Sequence, residues 1–216
     1  IFIVTDGVFS MEGSIVNLPE VVKLARAYNA AIILDDSHGV GVMGKTGRGT
    51  AEHFELEHEI DIYTGTLGKA LGGGIYPVSA FLARADVMDV FNPGSHGSTF
   101  GGNPVAAAIG LEAIKQIEDE KFAERSAELG DYLRNKLSAI QSPLIKEVRG
   151  MGLLVGLEID PDYAMARSVC EALMKRGMLC KETHDTVVRF APPLIISQEE
   201  IDWAVEQVEL VLKELI

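Results

Sequence analysis

Two short apolar runs bracket one amphipathic stretch at the start of the chain, and that pattern leaves few folds open. Ile1-Phe2-Ile3-Val4-Thr5 is apolar and partly β-branched, as is Ala31-Ile32-Ile33-Leu34, and each reads as a buried strand. Between them, Asn17-Leu18-Pro19-Glu20 opens a helix, with Asn17 as N-cap, Pro19 in the first turn and Glu20 placed for a capping box. Val21, Leu24, Ala25 and Tyr28 form its apolar face. Strand, helix and strand within about 35 residues make a βαβ unit, whose strands are parallel. Asp35 then falls at the carboxyl edge, where sheets of this kind bind ligands.

The pattern continues. Ile60 to Thr64 reads as a third strand and Pro77 to Ala83 as a fourth, with a helix from Arg84 to Phe91. Asn92 to Asn103 is a polar loop, and Pro104 opens an alanine-rich helix to Ile117. Glu120 to Ile140 is a second helix, with Leu129, Leu133 and Leu137 spaced by four. From Ser142 the pattern changes to short strands, Ile145–Arg149, Leu153–Ile159, Met178–Lys181 and Thr186–Phe190. They surround a helix, Ala164–Lys175, and precede a last one opened by the capping box Ser197-Gln198-Glu199-Glu200. The expected fold class is α/β: part of a large domain with a mostly parallel sheet over 1–120, a connecting helix over 121–141, and a smaller α+β carboxy-terminal domain over 142–216.

A hydrophobic fraction of 47% suits a sizeable core, and a net charge of −13 excludes nucleic acid and anionic membranes as natural partners. The two cysteines, Cys170 and Cys180, make neither a metal-binding nor a disulfide framework, which fits a cytoplasmic protein. No apolar run approaches the roughly 18 residues of a membrane span. No signal peptide precedes the first strand, so the chain is expected to be a fragment or to rely on a partner.

Two glycine-rich stretches compete for function. Gly39-Val40-Gly41-Val42-Met43-Gly44-Lys45-Thr46 matches the phosphate-loop pattern G-x-x-x-x-G-K-[ST]. Four residues separate it from the strand, however, and Gly47-Arg48-Gly49 follows where a helix should begin. It reads as a glycine-rich surface loop, with Lys45 solvated. The second stretch is Gly65-Thr66-Leu67-Gly68-Lys69-Ala70-Leu71-Gly72-Gly73-Gly74, just past the third strand. A lysine there, with Asp35-Asp36-Ser37-His38 at the end of another strand, supplies an amine for a Schiff base and an acid for a pyridinium nitrogen. Those are the protein's parts in pyridoxal phosphate chemistry. His38 offers a partner for the phenolic oxygen, Thr66 a hydroxyl for the phosphate, and Arg189 a bidentate grip on a substrate carboxylate.

Thr5-Asp6-Gly7-Val8-Phe9-Ser10-Met11-Glu12-Gly13, Asp35-Asp36-Ser37-His38-Gly39 and Gly65-Thr66-Leu67-Gly68-Lys69-Ala70 resemble the α-oxoamine synthases, the family of 2-amino-3-ketobutyrate CoA ligase. From Lys69 onward the chain resembles the ornithine aminotransferases instead. That likeness is carried by Pro93-Gly94-Ser95-His96-Gly97-Ser98-Thr99-Phe100-Gly101-Gly102-Asn103-Pro104, by Ile145-Lys146-Glu147-Val148-Arg149-Gly150 and by the run from Cys180 to Leu194. Both families are fold-type-I pyridoxal phosphate enzymes, so the chain reads as a join of two related enzymes at the Lys69 loop. The first resemblance implies that Lys69 carries the cofactor and that Asp35 pairs with its pyridine nitrogen. It further implies His38 and Ser10 near the phenolic oxygen and Thr66 at the phosphate. The second implies Thr99 as a phosphate ligand donated across a homodimer interface, and Arg189 as the carboxylate clamp. Other readings stay open: a hydrogen-bonded loop histidine for His38, a structural ion pair for Arg189, and a turn residue for Ser10.

The chain departs from the aminotransferase pattern in places. Those enzymes carry Glu-Pro-Ile-Gln-Gly-Glu-Ala-Gly where this chain has Asp6 to Gly13, and glutamine where it has His38. Members of both families are about twice as long, and the part not represented here holds the aromatic residue that stacks on the cofactor and the glycine/serine-rich phosphate loop. The expectation is a transferase acting on an amino acid, foremost an aminotransferase using a 2-oxo acid. The alternatives are an acyltransferase using an acyl-CoA and an inactive domain serving as an assembly surface.

Overall fold

A computed structural model describes residues 1–10, 13–66, 79–92, 94, 97 and 101–216. Lys69, Thr99, Met11, Glu12 and His96 lie outside the described residues. The chain divides into two compact units. One comprises Ile1–Val8 and Val16–Ala123, the other Phe9–Ile15 and Glu124–Ile216.

In the first unit, β1 (Phe2–Asp6), β2 (Ala31–Asp35), β3 (Ile62–Thr66) and β4 (Ser79–Ala83) lie side by side in that order. β1, β2 and β3 are parallel, as the βαβ pattern requires, and β4 returns antiparallel to β3. Helix α1 (Leu18–Tyr28) buries Leu18, Val22 and Ala25 against Ile32 and Leu34 of β2, together with Ala51 and Ile60, whereas Leu24 and Tyr28 of the expected apolar face are exposed. Burying each leucine, isoleucine or valine of the buried set contributes on the order of 1.5–3 kcal/mol, and each alanine less. The expected capping box at its start does not form. Asn17 has ψ 72°, outside the extended region that aims a cap side chain at the helix, so no side-chain cap bond is made. Its backbone carbonyl accepts from Glu20 and Val21 at 3.1 Å instead, and Glu20 pairs with Lys23. A short helix, α2 (Thr50–His53), precedes β3. Helix α3 (Ala85–Met88) is shorter than the expected Arg84–Phe91, and α4 (Pro104–Asp119) is capped by Asn103, whose side chain accepts from Val105 N–H at 2.9 Å.

The second unit is built on an antiparallel sheet ordered β5 (Ile145–Met151), β6 (Leu154–Ile159), β8 (Val187–Phe190), β7 (Lys181–Thr183). Helices α5 (Phe122–Ser138), α6 (Ala166–Lys175) and α7 (Gln198–Glu214) join it in one core, in which Leu137, Leu157, Ile159, Leu173, Ile201 and Leu212 are fully buried. The capping box of α7 is formed: Ser197 Oγ accepts from Glu200 N–H at 3.2 Å, and Glu200 returns a bond to Ser197 N–H at 2.8 Å. The strand expected over Met178–Lys181 begins only at Lys181. Gly177, at φ 88°, and Met178, whose N–H reaches Leu173 O at 3.0 Å, close α6 instead.

Helix α5 docks the β5–β6 turn through one stripe spaced by four. Ser126 Oγ accepts from Leu153 N–H at 3.1 Å, a Cβ at Gly130 would overlap the Gly152 backbone, and Arg134 donates to Gly152 O at 3.2 Å.

Candidate active site

Three parallel strands end together, and their register sets Asp6, Asp35 and Thr64 side by side at the carboxyl edge. Asp35 is half-buried. Its Oδ1 accepts from the Ser37 N–H at 3.0 Å and from the Ser37 hydroxyl at 2.6 Å. Burial raises its pKa, but those two bonds, the Thr64 hydroxyl and the electrostatic influence of the nearby His38 imidazole outweigh it. The carboxyl is held below its ordinary value and stays anionic at neutral pH. His38 lies three residues on, half-buried in the turn that leaves β2.

Asp36 has the opposite fate. It is 1% exposed, and its carboxylate accepts from the Thr50 N–H and the Thr50 hydroxyl, each at 2.6 Å. Burial raises its pKa over the lowering effect of the two Thr50 bonds, with the Asp35 charge adding to the rise. A Cβ on Gly7, Gly39 or Gly49 would run into this pair. The glycines of the 39–49 loop therefore let the backbone close on Asp36.

The phosphate-loop look-alike is occupied from within. Glu52 accepts from Thr46 N–H at 3.1 Å, from the Thr46 hydroxyl at 2.7 Å and from Arg48 N–H at 2.9 Å. These donors would have to face a phosphate in a nucleotide-binding loop, and here a carboxylate of the same chain takes them. Lys45 is exposed, as expected of a surface loop.

Of the remaining expected residues, Thr66 ends β3, where its backbone pairs with Ser79, while Lys69 and Thr99 fall outside the described residues. In the second unit, Arg189 sits on β8 with Gly156 of β6 on one side and Lys181 of β7 on the other. Its Nη1 donates to the Ser10 carbonyl at 2.8 Å. Ser10 belongs to the 9–15 segment that packs with this unit, where Gly13 has φ 68° and a Cβ on it would stand 3.6 Å from Gly156 N. Among the described residues no carboxylate pairs with Arg189, whereas Arg149 is bound by Glu147 and Glu158, and Arg167 by Glu171 and Glu182. The structural ion-pair reading of Arg189 thus finds no partner there.

Ser37 and Thr64, which fix the charge of Asp35, are absent from the expected set. Thr64 is recoverable as the last residue of the third apolar run, one strand over from Asp35; the role of Ser37 depends on a turn that the pattern does not specify. Among the described residues no cluster of three metal-ligating side chains occurs, and no helix is long and apolar enough to cross a membrane.

The class-III aminotransferase family model matches residues 7–212, on both sides of the Lys69 loop. The chain belongs to the class-III aminotransferases. It is 53% identical over 195 residues to the ornithine aminotransferase of Staphylococcus carnosus (strain TM300), covering 90% of this chain and 47% of that protein. The ornithine aminotransferase of Bacillus subtilis (strain 168) is 48% identical over 200 residues, covering 91% and 47%. Among solved structures, ornithine aminotransferase from Toxoplasma gondii ME49 superposes with a TM-score of 0.87 at 36% identity, over 98% of this chain and 51% of that one. Acetylornithine aminotransferase from Elizabethkingia anophelis gives 0.85 at 35%, over 98% and 56%. The chain spans about half the length of the curated relatives it matches. One aminotransferase family therefore spans both stretches that the sequence reading set against two families.

Proposed function

We propose that the chain carries part of a pyridoxal phosphate-dependent aminotransferase site of ornithine aminotransferase type, which moves an amino group from an amino acid to a 2-oxo acid. The observation that carries this reading is Asp35, a carboxylate kept anionic at the end of parallel strands in a class-III chain. The donor set fits the cofactor: an acid for the ring nitrogen, an imidazole one turn on, and hydroxyls close by. Bound there, pyridoxal phosphate supplies an electron sink for the substrate Cα.

The residues divide the remaining work. Asp35 keeps the ring nitrogen protonated. His38 and Ser10 serve the phenolic oxygen, and the Thr66 and Thr99 hydroxyls donate to the phosphate, Thr99 from the neighbouring subunit of a homodimer. Lys69 would hold the cofactor through its amine and would serve as the base that moves the substrate's Cα proton. Arg189 grips the substrate carboxylate with its planar fork, one edge of which the Ser10 carbonyl steadies. In domain terms, residues 1–120 belong to the cofactor-binding part, 121–141 connect, and 142–216 form the small domain. The setting is the cytoplasm.

Borohydride reduction in the presence of pyridoxal phosphate, followed by peptide mapping, should label Lys69 alone. A label on Lys45, or one scattered over surface lysines, overturns the assignment. A second reading, acyl transfer from an acyl-CoA as in the α-oxoamine synthases, rests only on the resemblance of the Asp35-Asp36-Ser37-His38-Gly39 turn, a stretch that the class-III family model also covers. Assays with ornithine plus a 2-oxo acid, and with glycine plus acetyl-CoA, separate the two. A chain that develops no absorbance band with the cofactor would be an assembly domain.

A further inference from the structure

The second unit holds a side-chain pair that the transferase reading does not use. Cys170 lies on α6, buried in the core, and Cys180 lies half-buried just before β7. Both are free thiols, and their sulfurs are 3.4 Å apart. The Cys180 thiol donates to the Cys170 sulfur. That bond holds the Cys170 pKa below its ordinary value despite burial and the Glu182 charge, with Arg167 and Lys181 adding to the lowering. Cys180, as the donor, is correspondingly pushed up. The pair thus contains a nucleophile and a protonated neighbour in contact with it.

The geometry also permits closure. A disulfide needs the sulfurs at about 2.0 Å, so they must approach further. The connection between them passes through Gly177, which has φ 88° and open space where a Cβ would stand, so the turn has room to adjust. Lys181, which follows Cys180, pairs with Arg189 across the sheet.

We propose that Cys170 and Cys180 are a hydroperoxide-responsive dithiol that closes reversibly to an intramolecular disulfide and ties α6 to the start of β7, beside Arg189. In the first step the Cys170 thiolate attacks a peroxide oxygen. The S–O bond forms, the O–O bond breaks, and the departing hydroxide or alkoxide takes a proton. In the second, the Cys180 sulfur attacks the resulting sulfenic sulfur. The S–S bond forms, the S–O bond breaks, and the hydroxide leaves as water with the Cys180 proton. The two sulfurs lose two electrons in total, and hydrogen peroxide is reduced to two waters. A dithiol reductant returns two electrons and two protons. A small oxidant suits the site, since Cys170 is only 7% exposed. Transient disulfides of this kind are the sort found in reducing compartments.

The chain has two cysteines, so any thiol lost on oxidation belongs to this pair. Treating the protein with hydrogen peroxide and counting free thiols should show both lost together. The chain should become lighter by ~2 Da as two hydrogens leave, one peptide should link the two cysteines, and dithiothreitol should reverse all three changes. In Cys180→Ser the reaction should stop at a sulfenic acid trapped by dimedone, and Cys170→Ser should consume peroxide at least ~10-fold more slowly. Should a variant fail to fold, one phenylarsine oxide per wild-type chain should protect both thiols. In the oxidised protein, amide exchange in β7 and β8 should slow. Disulfides between chains, oxidation to sulfinic acid without closure, or unchanged exchange in β7 and β8 would overturn the proposal. None of these readouts depends on cofactor or transferase activity.

Discussion

Asp35 and Asp36 are neighbours with opposite surroundings, and the difference follows from the alternation of a strand and its exit. Asp35 faces hydroxyls and an imidazole at the sheet edge, while Asp36 turns inward onto Thr50. Truncating Asp36 leaves a buried N–H and a buried hydroxyl without their acceptor, so Asp36→Ala should cost about 2–4 kcal/mol in urea unfolding. Asp35→Asn keeps an acceptor for the Ser37 N–H and should stay within about 1 kcal/mol of the parent. By contrast, if Asp35 pairs with the cofactor's ring nitrogen as proposed, the change should lower transamination about 100-fold or more, because a neutral amide would not hold a proton there. Equal activity in Asp35→Asn would remove that residue from the site. At this scale the Asp-Asp pair was legible as the end of a strand, but which member is buried was not. That choice rests on Thr50, fourteen residues away, and on glycines that carry no side-chain pattern.

Among the elements, apolar runs and the βαβ rule were enough to place the strands β1, β2 and β3 and their parallel sense. The antiparallel return of β4 and the absent cap at Asn17 were not readable, since each depends on backbone angles rather than on which residues are apolar. Nor was the docking of residues 9–15 onto the second unit, where Gly13 meets the backbone of Gly150 and Gly156. The 39–49 loop shows how a motif can mislead: its spacing matched a phosphate loop, yet its donors are spent on Glu52. Burial raises the Glu52 pKa, but the hydrogen bonds from Thr46 and Arg48, with the Arg48 charge, bring it below the ordinary 4.5. A lowered carboxyl pKa gives stability that is complete above the unfolded value and lost as pH falls through the folded one. Glu52→Gln turns an amide donor toward backbone N–H groups, and after discounting for solvent it should cost about 1 kcal/mol at neutral pH. Urea unfolding at pH 7 and in acid well below 4.5 should show the difference between parent and variant shrinking to nothing at low pH. A constant difference would mean that Glu52 acts through packing and not through its charge.

For the whole molecule, the proposed homodimer makes a linked prediction. If Thr99 serves the neighbouring subunit's phosphate site, pyridoxal phosphate binds the dimer more tightly than the monomer. Binding that favours the dimer must in turn favour dimerisation, by the same factor. Sedimentation at increasing cofactor concentration should therefore shift this chain toward dimer, and the apparent cofactor affinity should rise with protein concentration. Thr99→Ala should weaken both effects together and leave cofactor-free association unchanged. Affinity should remain low in every case, because the chain spans about half the length of its curated relatives and the resemblance puts the stacking aromatic and the glycine/serine-rich phosphate loop in the other half. A monomer that binds the cofactor tightly, with no dependence on protein concentration, would contradict the shared site.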